Sequence, residues 1–321
     1  MLNPLPPLNP DLRYHNYASY LRRRLGNPAA RIAVYGGFTC PNRDGTIGTG
    51  GCLYCNNDAF TAGIHFPGLP IDEQVRRTIQ SPGRHRSFRR FLVYFQPFSN
   101  TFAPPEELER KYRLAFCHPD VAGIAVGTRP DCLGPEVLDV LSRIARDHYV
   151  SVEVGLQSIS DEVLARVNRG HTVRDFENAV AALRERKIDV GAHLIYALPG
   201  DTRENFLSAA GYLSRLGVQA VKLHHFHVVR GSGFEAAWRR GDVAAPAYDD
   251  YLAACVAFLE RLAPEVSVMR LIASAPPHLL LDPMWEKGGR DMARDVAAAL
   301  LERDSCQGAL WNGRRRRGAD G

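Results

Sequence analysis

Apolar segments rich in β-branched residues alternate with segments of helical periodicity along most of this chain of 321 residues. This alternation constrains the fold more strongly than any other feature, because strands separated by helices pair in parallel and bury both faces of their sheet. We therefore predict an α/β fold, built either as a barrel or as a doubly wound open sheet. The glycine pattern GxGxxG, typical of dinucleotide binding, does not follow the first predicted strand.

Seven strands and four helices are predicted from this pattern. The strands lie at residues 31–35, 91–95, 123–126, 150–154, 189–195, 220–225 and 267–272. The helices lie at residues 105–116, 135–146, 173–186 and 202–216. Proline or acidic residues near their first turns suit helix starts. In parallel β/α architectures ligands bind at the carboxyl ends of the strands, so functional residues are expected there.

Composition narrows the class of protein further. Apolar residues make up 45% and charged residues 23% of the chain, which fits a globular protein and excludes a fibrous or wholly disordered one. No stretch approaches the roughly 20 apolar residues needed to span a bilayer. The first residues also lack the basic and apolar regions of a secretion signal. The sequence thus predicts a cytoplasmic protein without a membrane partner.

Three of the seven cysteines lie close together in a glycine-rich loop after the first predicted strand, with the spacing Cys40-x11-Cys52-x2-Cys55. Thiolates that include a CxxC pair favour zinc or an iron–sulfur cluster. A structural zinc site needs a fourth ligand, for which this loop offers no further Cys or His. A [4Fe-4S] cluster held by three cysteines would keep one iron open for an exogenous ligand. Both metals stay open at this point.

At these residues the sequence resembles the radical SAM superfamily, and within it the YhcC-like proteins related to the Elongator-type radical SAM group. The first matching string, GFTCPNRDGTIGTGGCLYCNN at residues 37–57, has the eleven-residue first gap of the YhcC-like group in place of the commoner CxxxCxxC. Further strings match in order at residues 95–104, 126–133, 152–158, 167–172, 193–202 and 222–232. So many matches in order make the resemblance specific.

The resemblance implies a partial (β/α)6 TIM-like barrel of parallel strands with a C-terminal strand-helix extension. It implies one [4Fe-4S] cluster bound by Cys40, Cys52 and Cys55, with S-adenosylmethionine (SAM) at the open iron. Reductive cleavage of SAM would give a 5′-deoxyadenosyl radical that abstracts hydrogen from a substrate. An external flavodoxin- or ferredoxin-like protein would donate the electron. Neither the substrate nor a catalytic side chain can be read from the sequence.

The family pattern also implies SAM contacts near the carboxyl ends of the predicted strands. The residues at the matching positions are Tyr54, Gln96, Ser99, Asn100, Thr101, Thr128, Arg129, Glu153, Gln157, Arg169, His193, Lys222 and His224. Structural roles are the alternative for each of them. Tyr54 could serve packing, Arg129 a salt bridge, and His193 could be a satisfied core histidine.

Two charged residues in predicted strands need partners. Glu153 stands between Val152 and Val154, so its carboxylate is expected to meet ribose hydroxyls or the amine of SAM. Lys222 is one of only four lysines and needs an anion when placed in a strand. Side-chain alternation directs Lys222 and His224 to the same face, which we expect to be the barrel mouth.

We predict four parts of the chain: an N-terminal extension at residues 1–29, the partial barrel at 30–235, a C-terminal extension covering the barrel at 236–313, and a disordered basic tail at 314–321. The net charge of +5 and the arginine-rich tail leave RNA open as a partner and tRNA modification as an alternative function. An iron–sulfur or zinc binding protein without turnover is a further alternative.

Overall fold

The structure, a computed structural model, describes residue 8 and residues 10–61, 64–81 and 88–313. The predicted tail at residues 314–321 lies outside the described residues. The strands are β1 Ala29–Val34, β2 Arg90–Phe95, β3 Val121–Thr128, β4 Tyr149–Gln157, β5 Asp189–Tyr196, β6 Ala220–His225, β7 Val228–Val229, β8 Ser267–Arg270 and β9 Leu280–Asp282. The α-helices are α1 Tyr17–Leu25, α2 Asn57–Thr61, α3 Ile71–Gln80, α4 Pro105–Leu114, α5 Pro135–Ala145, α6 Asp161–Arg166, α7 Val173–Glu185, α8 Arg203–Leu216, α9 Glu235–Arg239, α10 Tyr248–Arg261 and α11 Gly289–Glu302.

Strands β1 to β6 and β8 form one parallel sheet whose neighbour order follows the order of the chain. All seven predicted strands and all four predicted helices are present, with small shifts at their ends. A doubly wound sheet would reverse its strand order at a switch point. Here each crossover continues in one direction, so the sheet curls, and the partial TIM-like barrel expected from the sequence is confirmed.

Alternation along the strands separates an outer core from the barrel interior. In β2, Phe91, Val93 and Phe95 join the large core formed between the sheet and its covering helices. Leu92 and Tyr94 instead join a smaller cluster inside the barrel. The sheet is therefore buried on both faces, as its nearly continuous apolar strands require.

Helix α1 packs against β1 and β8, the two edges of the curled sheet. Asn16 forms a bridge with Val268 in β8, and its Oδ1 accepts a hydrogen bond of 2.8 Å from the Ser19 amide. This N-cap starts the helix directly beside the sheet edge. The buried side chains of Tyr17 and Leu21 then pack against the inner residues of the barrel. The helix thereby fills the part of the interior away from the strand carboxyl ends.

A buried carboxylate fastens α1 to the sheet. Asp189, the first residue of β5, accepts hydrogen bonds from the hydroxyls of Tyr20 (2.6 Å) and Tyr149 (2.8 Å). Its Oδ1 lies 2.6 Å from Nη2 of Arg24. Because Tyr20 and Arg24 both belong to α1, the Asp189 carboxylate links this helix to the neighbouring strands β4 and β5.

The chain after β6 adds the antiparallel pair β7 and β9, and helices α10 and α11, which pack against each other. The segment that follows β8 brings Ser274, Ala275 and Pro276 to the wall of the central cavity. The division of the chain into four parts stays a prediction. No described helix is both long and apolar enough to cross a lipid bilayer.

Tyr20→Phe should lower the free energy of unfolding by about 2 kcal/mol, because it removes a hydrogen bond to a charged, buried acceptor. Urea unfolding followed by circular dichroism measures this loss. The matched control is Tyr35→Phe, which removes the hydroxyl of a half-buried tyrosine just beyond β1. Equal stability of the two variants would contradict a fastening role for Tyr20.

Candidate active site

A cavity of about 660 Å³ opens at the carboxyl ends of the strands. Its wall contains all three cysteines of the glycine-rich loop, Cys40, Cys52 and Cys55. The predicted SAM contacts that line it are Tyr54, Gln96, Ser99, Asn100, Thr128, Arg129, Glu153, Gln157, Arg169, His193, Lys222 and His224. The structure therefore brings the cysteines and these side chains together at one place.

Thr101 is the predicted contact that does not reach the cavity. Its hydroxyl lies 2.6 Å from the Thr128 hydroxyl and donates a hydrogen bond of 2.6 Å to the Cys132 carbonyl. Thr101 is buried beneath the wall and supports Thr128, which does line the cavity.

The cysteine loop is folded by its own polar residues. Gly51 has φ of +73°, and a Cβ added there would lie 2.7 Å from Arg43 Nε, so a side chain at this position is doubly disfavoured. Arg43 Nη2 donates to the Cys55 carbonyl at 2.8 Å, and the Gly51 amide donates to the Asn42 carbonyl at 2.7 Å. These bonds fix the turn that carries the CxxC pair.

A second segment, between α6 and α7, anchors the same loop. Asn42 Nδ2 donates to the Asn168 carbonyl at 2.7 Å, and Asn168 Nδ2 donates to the Gly51 carbonyl at 2.8 Å. The Leu53 amide also donates to the Val167 carbonyl at 3.0 Å. The sequence analysis did not single out Asn42 or Asn168, although both lie within strings that carry the family resemblance.

The three thiols share one electrostatic environment. Burial opposes ionisation of Cys52, but the Arg169 guanidinium, whose Nη1 lies 3.6 Å from Sγ, brings its pKa below the ordinary value. Burial and the neighbouring thiols of Cys52 and Cys40 together raise the pKa of Cys55 to about 11. Of the CxxC pair, Cys52 is therefore the thiol that ionises more readily.

Zinc has little geometric support in this loop. Among the described residues, no three His, Cys, Asp or Glu side chains converge on a point where one metal ion could be held. A structural zinc ion requires such convergence. The thiolates of a [4Fe-4S] cluster each bind a different iron atom, so three cysteines around a cavity suit a cluster without converging.

Deeper in the cavity, Glu153 is the hub of a charged network. Its side chain is 0% exposed, and it forms ion pairs with Arg31 and with Lys222, whose Nζ lies 3.0 Å from Oε2. His193 Nε2 lies 2.7 Å from the same oxygen. Burial alone would raise the pKa of Glu153, but Arg31 and Lys222 hold it well below the usual range. The partners of this carboxylate are protein cations, where the sequence analysis expected ribose or the SAM amine.

One carboxylate is shared among several cationic groups. Burial lowers the pKa of Lys222, and the nearby Arg270 and Arg31 guanidiniums lower it as well, whereas Glu153 raises it. The resulting pKa is about 7. Lys222 Nζ also donates to the Tyr94 hydroxyl at 3.1 Å. Burial lowers the pKa of His193 to about 4, which makes this histidine neutral near pH 7.

Two arginines close to the cysteines are engaged by protein acceptors. Arg129 Nη2 lies 2.9 Å from Asp131 Oδ2, and its Nη1 donates to the Arg169 carbonyl at 2.8 Å. Arg169 donates to the Gly155 carbonyl at 2.9 Å and to His171 Nε2 at 2.8 Å. Arg129 thus forms the salt bridge that was the structural alternative for this residue. Its role in binding the SAM carboxylate stays a prediction.

The polar segment after β2 carries an unmatched acceptor. Asn100 Nδ2 donates to the carbonyls of Pro97 and Gly127, each at 2.9 Å. Its Oδ1 is buried and has no hydrogen-bond donor among the described residues. Because Asn100 lines the cavity, this oxygen is available to a donor group on a ligand.

Three residues that interact with the Glu153 network were not predicted from the sequence: Arg31, Tyr94 and Arg270. Arg31 and Arg270 each lie in a predicted strand, and the available signal was a lone arginine within an otherwise apolar run. Such a signal does not reveal which distant charge the arginine meets.

The parallel strands follow the order of the chain, a cavity lies at their carboxyl ends, and a cysteine-rich loop lies on its wall. This arrangement is typical of a barrel enzyme that binds a cofactor. The family model of the Radical SAM superfamily matches residues 42–213, and that of the Radical_SAM C-terminal domain matches residues 218–300. The chain belongs to the Radical SAM superfamily, whose cofactors are a [4Fe-4S] cluster and SAM. It is an enzyme of this class.

The chain is similar to two bacterial proteins over most of its length. It is 33% identical to Bacillus subtilis YtqA over 312 residues, which are 96% of either chain. It is 36% identical to Escherichia coli YhcC over 271 residues, 83% of this chain and 85% of that protein. The YhcC-like assignment is confirmed.

A solved structure shares the fold. The archaeal Elp3 of Methanocaldococcus infernus, with an N-terminal deletion, superposes with a TM-score of 0.64 at 16% sequence identity. The match covers 87% of this chain and 64% of that one, so the chain spans less than two thirds of that relative.

Glu153→Gln should lower the free energy of unfolding by about 3–5 kcal/mol, because it leaves the buried Lys222 and the half-buried Arg31 without their counter-charge. Urea unfolding measures this loss. Glu302→Gln, at the exposed end of α11, is the matched control and should change stability by less than about 0.5 kcal/mol. A Glu153→Gln variant as stable as this control would contradict the role of Glu153 as hub.

The lowered pKa of Lys222 predicts a pH dependence of stability. Between about 7, the pKa in the folded protein, and 10.5, its ordinary value, the unfolded chain holds a proton that the folded chain has released. The free energy of unfolding should therefore rise with pH across this window through Lys222. Lys222→Met should flatten that rise in urea titrations, whereas Lys187→Met, at an exposed position, should keep it. Identical pH profiles of stability for the two variants would contradict the lowered pKa of Lys222.

Proposed function

We propose that this enzyme holds one [4Fe-4S] cluster through Cys40, Cys52 and Cys55 and binds SAM in the cavity beside them. The observation that carries the proposal is the presence of all three cysteines on the wall of a cavity that also contains an unmatched buried acceptor, Asn100 Oδ1. Membership of the superfamily supports the same assignment.

When bound, the two cofactors supply a reducing electron and, from SAM, a 5′-deoxyadenosyl radical. The cysteine loop is prepared to hold iron. Arg169 favours the thiolate of Cys52, which is the form that ligates metal. Arg43, through the Cys55 carbonyl, keeps the CxxC turn in place, so less chain entropy is lost when the metal binds.

The SAM contacts are proposed by the chemistry of each side chain. Asn100 Oδ1 would accept a hydrogen bond from the SAM ammonium, a group with donors only. Tyr54 would contact adenine, and Gln157 and Arg169 would lie near the ribose and the carboxylate. We assign Glu153 a positioning role, since its charge is met by Arg31 and Lys222.

The substrate is not specified by these contacts. A flavodoxin- or ferredoxin-like electron donor is proposed together with the reaction, because reductive cleavage of SAM consumes an electron. The arginine run that favours an RNA partner lies outside the described residues.

Anaerobic reconstitution with iron and sulfide tests the cluster assignment. The wild-type chain should show iron–sulfur absorption and, with dithionite and SAM, should release 5′-deoxyadenosine. Cys40→Ser, Cys52→Ser and Cys55→Ser should each lose both signals, because three thiolates leave one iron for SAM and two do not retain the cluster. Absorption spectra and chromatography of the nucleoside provide the readouts.

Cys117→Ser is the matched control, since Cys117 is half-buried and lies outside the cavity wall. It should retain the cluster and SAM cleavage. Retention of both signals in the three loop variants would reject the proposal. One equivalent of zinc without iron–sulfur absorption in the wild-type protein would instead favour a zinc-binding protein without turnover.

A further inference from the structure

Arg270 is a cavity-lining cation without a carboxylate partner. It is the last residue of β8, and its Nη2 lies 3.0–3.1 Å from the two ring nitrogens of His224. Its Nε is buried and has no hydrogen-bond partner among the described residues, and none of the ion pairs in the described part of the chain includes Arg270. Burial of the His224 ring, together with the nearby Arg270 and Lys222 cations, holds the pKa of His224 well below the usual range, so its ring is neutral.

The inner end of the cavity therefore carries more positive than negative charge. Arg31, Lys222 and Arg270 interact there with Glu153, which is the one carboxylate among the described residues of the cavity wall. Glu153 already pairs directly with Arg31 and Lys222. Arg270 is half-buried, but its Nε is buried and has no acceptor among the described residues, so the arrangement leaves a place for one further anion.

This cationic end differs from the cysteine end of the same cavity. There Arg169 is engaged by Cys52 and the Gly155 carbonyl, Arg43 by the Cys55 carbonyl, and Arg129 by Asp131. Arg270 belongs to β8, and its hydrogen-bond partner His224 lies on the neighbouring strand β6. The missing anion is thus expected beside Arg270 and His224, next to strands β6 and β8.

We propose that the inner end of the cavity binds an oxyanion carried by the substrate, a carboxylate or a phosphate, with Arg270 as its main donor and Lys222 beside it. A planar guanidinium binds either group through two parallel hydrogen bonds. The proposal rests on the proposed function, because it specifies the substrate class of that active site. The bound oxyanion would supply the counter-charge that Arg270 lacks.

The test is anion binding by the reconstituted full-length protein, measured by calorimetry with inorganic phosphate and, separately, with acetate at constant ionic strength. We expect saturable binding of at least one anion, and affinity at least about ten-fold weaker in Arg270→Gln. Arg270→Lys keeps the positive charge but cannot donate two parallel hydrogen bonds to the anion, so an intermediate affinity is expected. Preference for phosphate or acetate then distinguishes the two kinds of substrate group.

Arg110→Gln, which removes an exposed arginine of α4, is the matched control and should bind like the wild type. Equal affinities in the wild type, Arg270→Gln and Arg270→Lys would overturn the proposal. So would loss of anion binding when saturating SAM is added, since the site would then belong to the SAM carboxylate. Repeating the titration in Cys55→Ser separates the two proposals. Anion binding in this variant reports on the inner site alone, because the variant should lack the cluster. The cluster assignment is judged separately, by the iron–sulfur absorption.

Discussion

The curled sheet depends on a single carboxylate held across its interior. Glu153 projects from the fourth strand of the sheet, while its ionic partners Arg31 and Lys222 come from the first and the sixth. Strands so far apart share no ladder hydrogen bonds, so this charge joins helix α1 in connecting opposite sides of the partial barrel. Because the group is fully buried, the connection is strong only while every partner remains in place.

This connection also divides the interior into two zones. On the amino-end side of Glu153, α1 fills the barrel with Tyr17, Tyr20 and Leu21, and Asp189 fastens the helix. On the carboxyl-end side lies the cavity with the cysteine loop. The layer of ion pairs thus separates a zone packed mainly with apolar and aromatic side chains from a cavity lined by polar side chains.

The sheet could be predicted from the sequence because each of its strands is buried on both faces, which leaves a continuous apolar run bounded by turns. Helix α1 was missed because three consecutive arginines, Arg22 to Arg24, obscure a narrow apolar face. The short strands β7 and β9 are too brief to show a period. At the site, local spacing revealed the cysteines. The ionic partners of Glu153, Arg31 and Lys222, could not be predicted, because each lies on another strand and more than sixty residues away in the chain.

Closing the barrel with a helix in place of an eighth strand has a consequence for how this architecture can diversify. Strand pairing changes the width of a barrel only in whole increments, since each added strand brings a fixed spacing of about 4.8 Å. A helix seated between two sheet edges packs through side chains, whose volume changes by one methylene at a time. The width of the cavity above α1 can thus be adjusted to a new molecule by substitutions on the buried face of the helix, while the pairing of the seven-stranded sheet stays as it is.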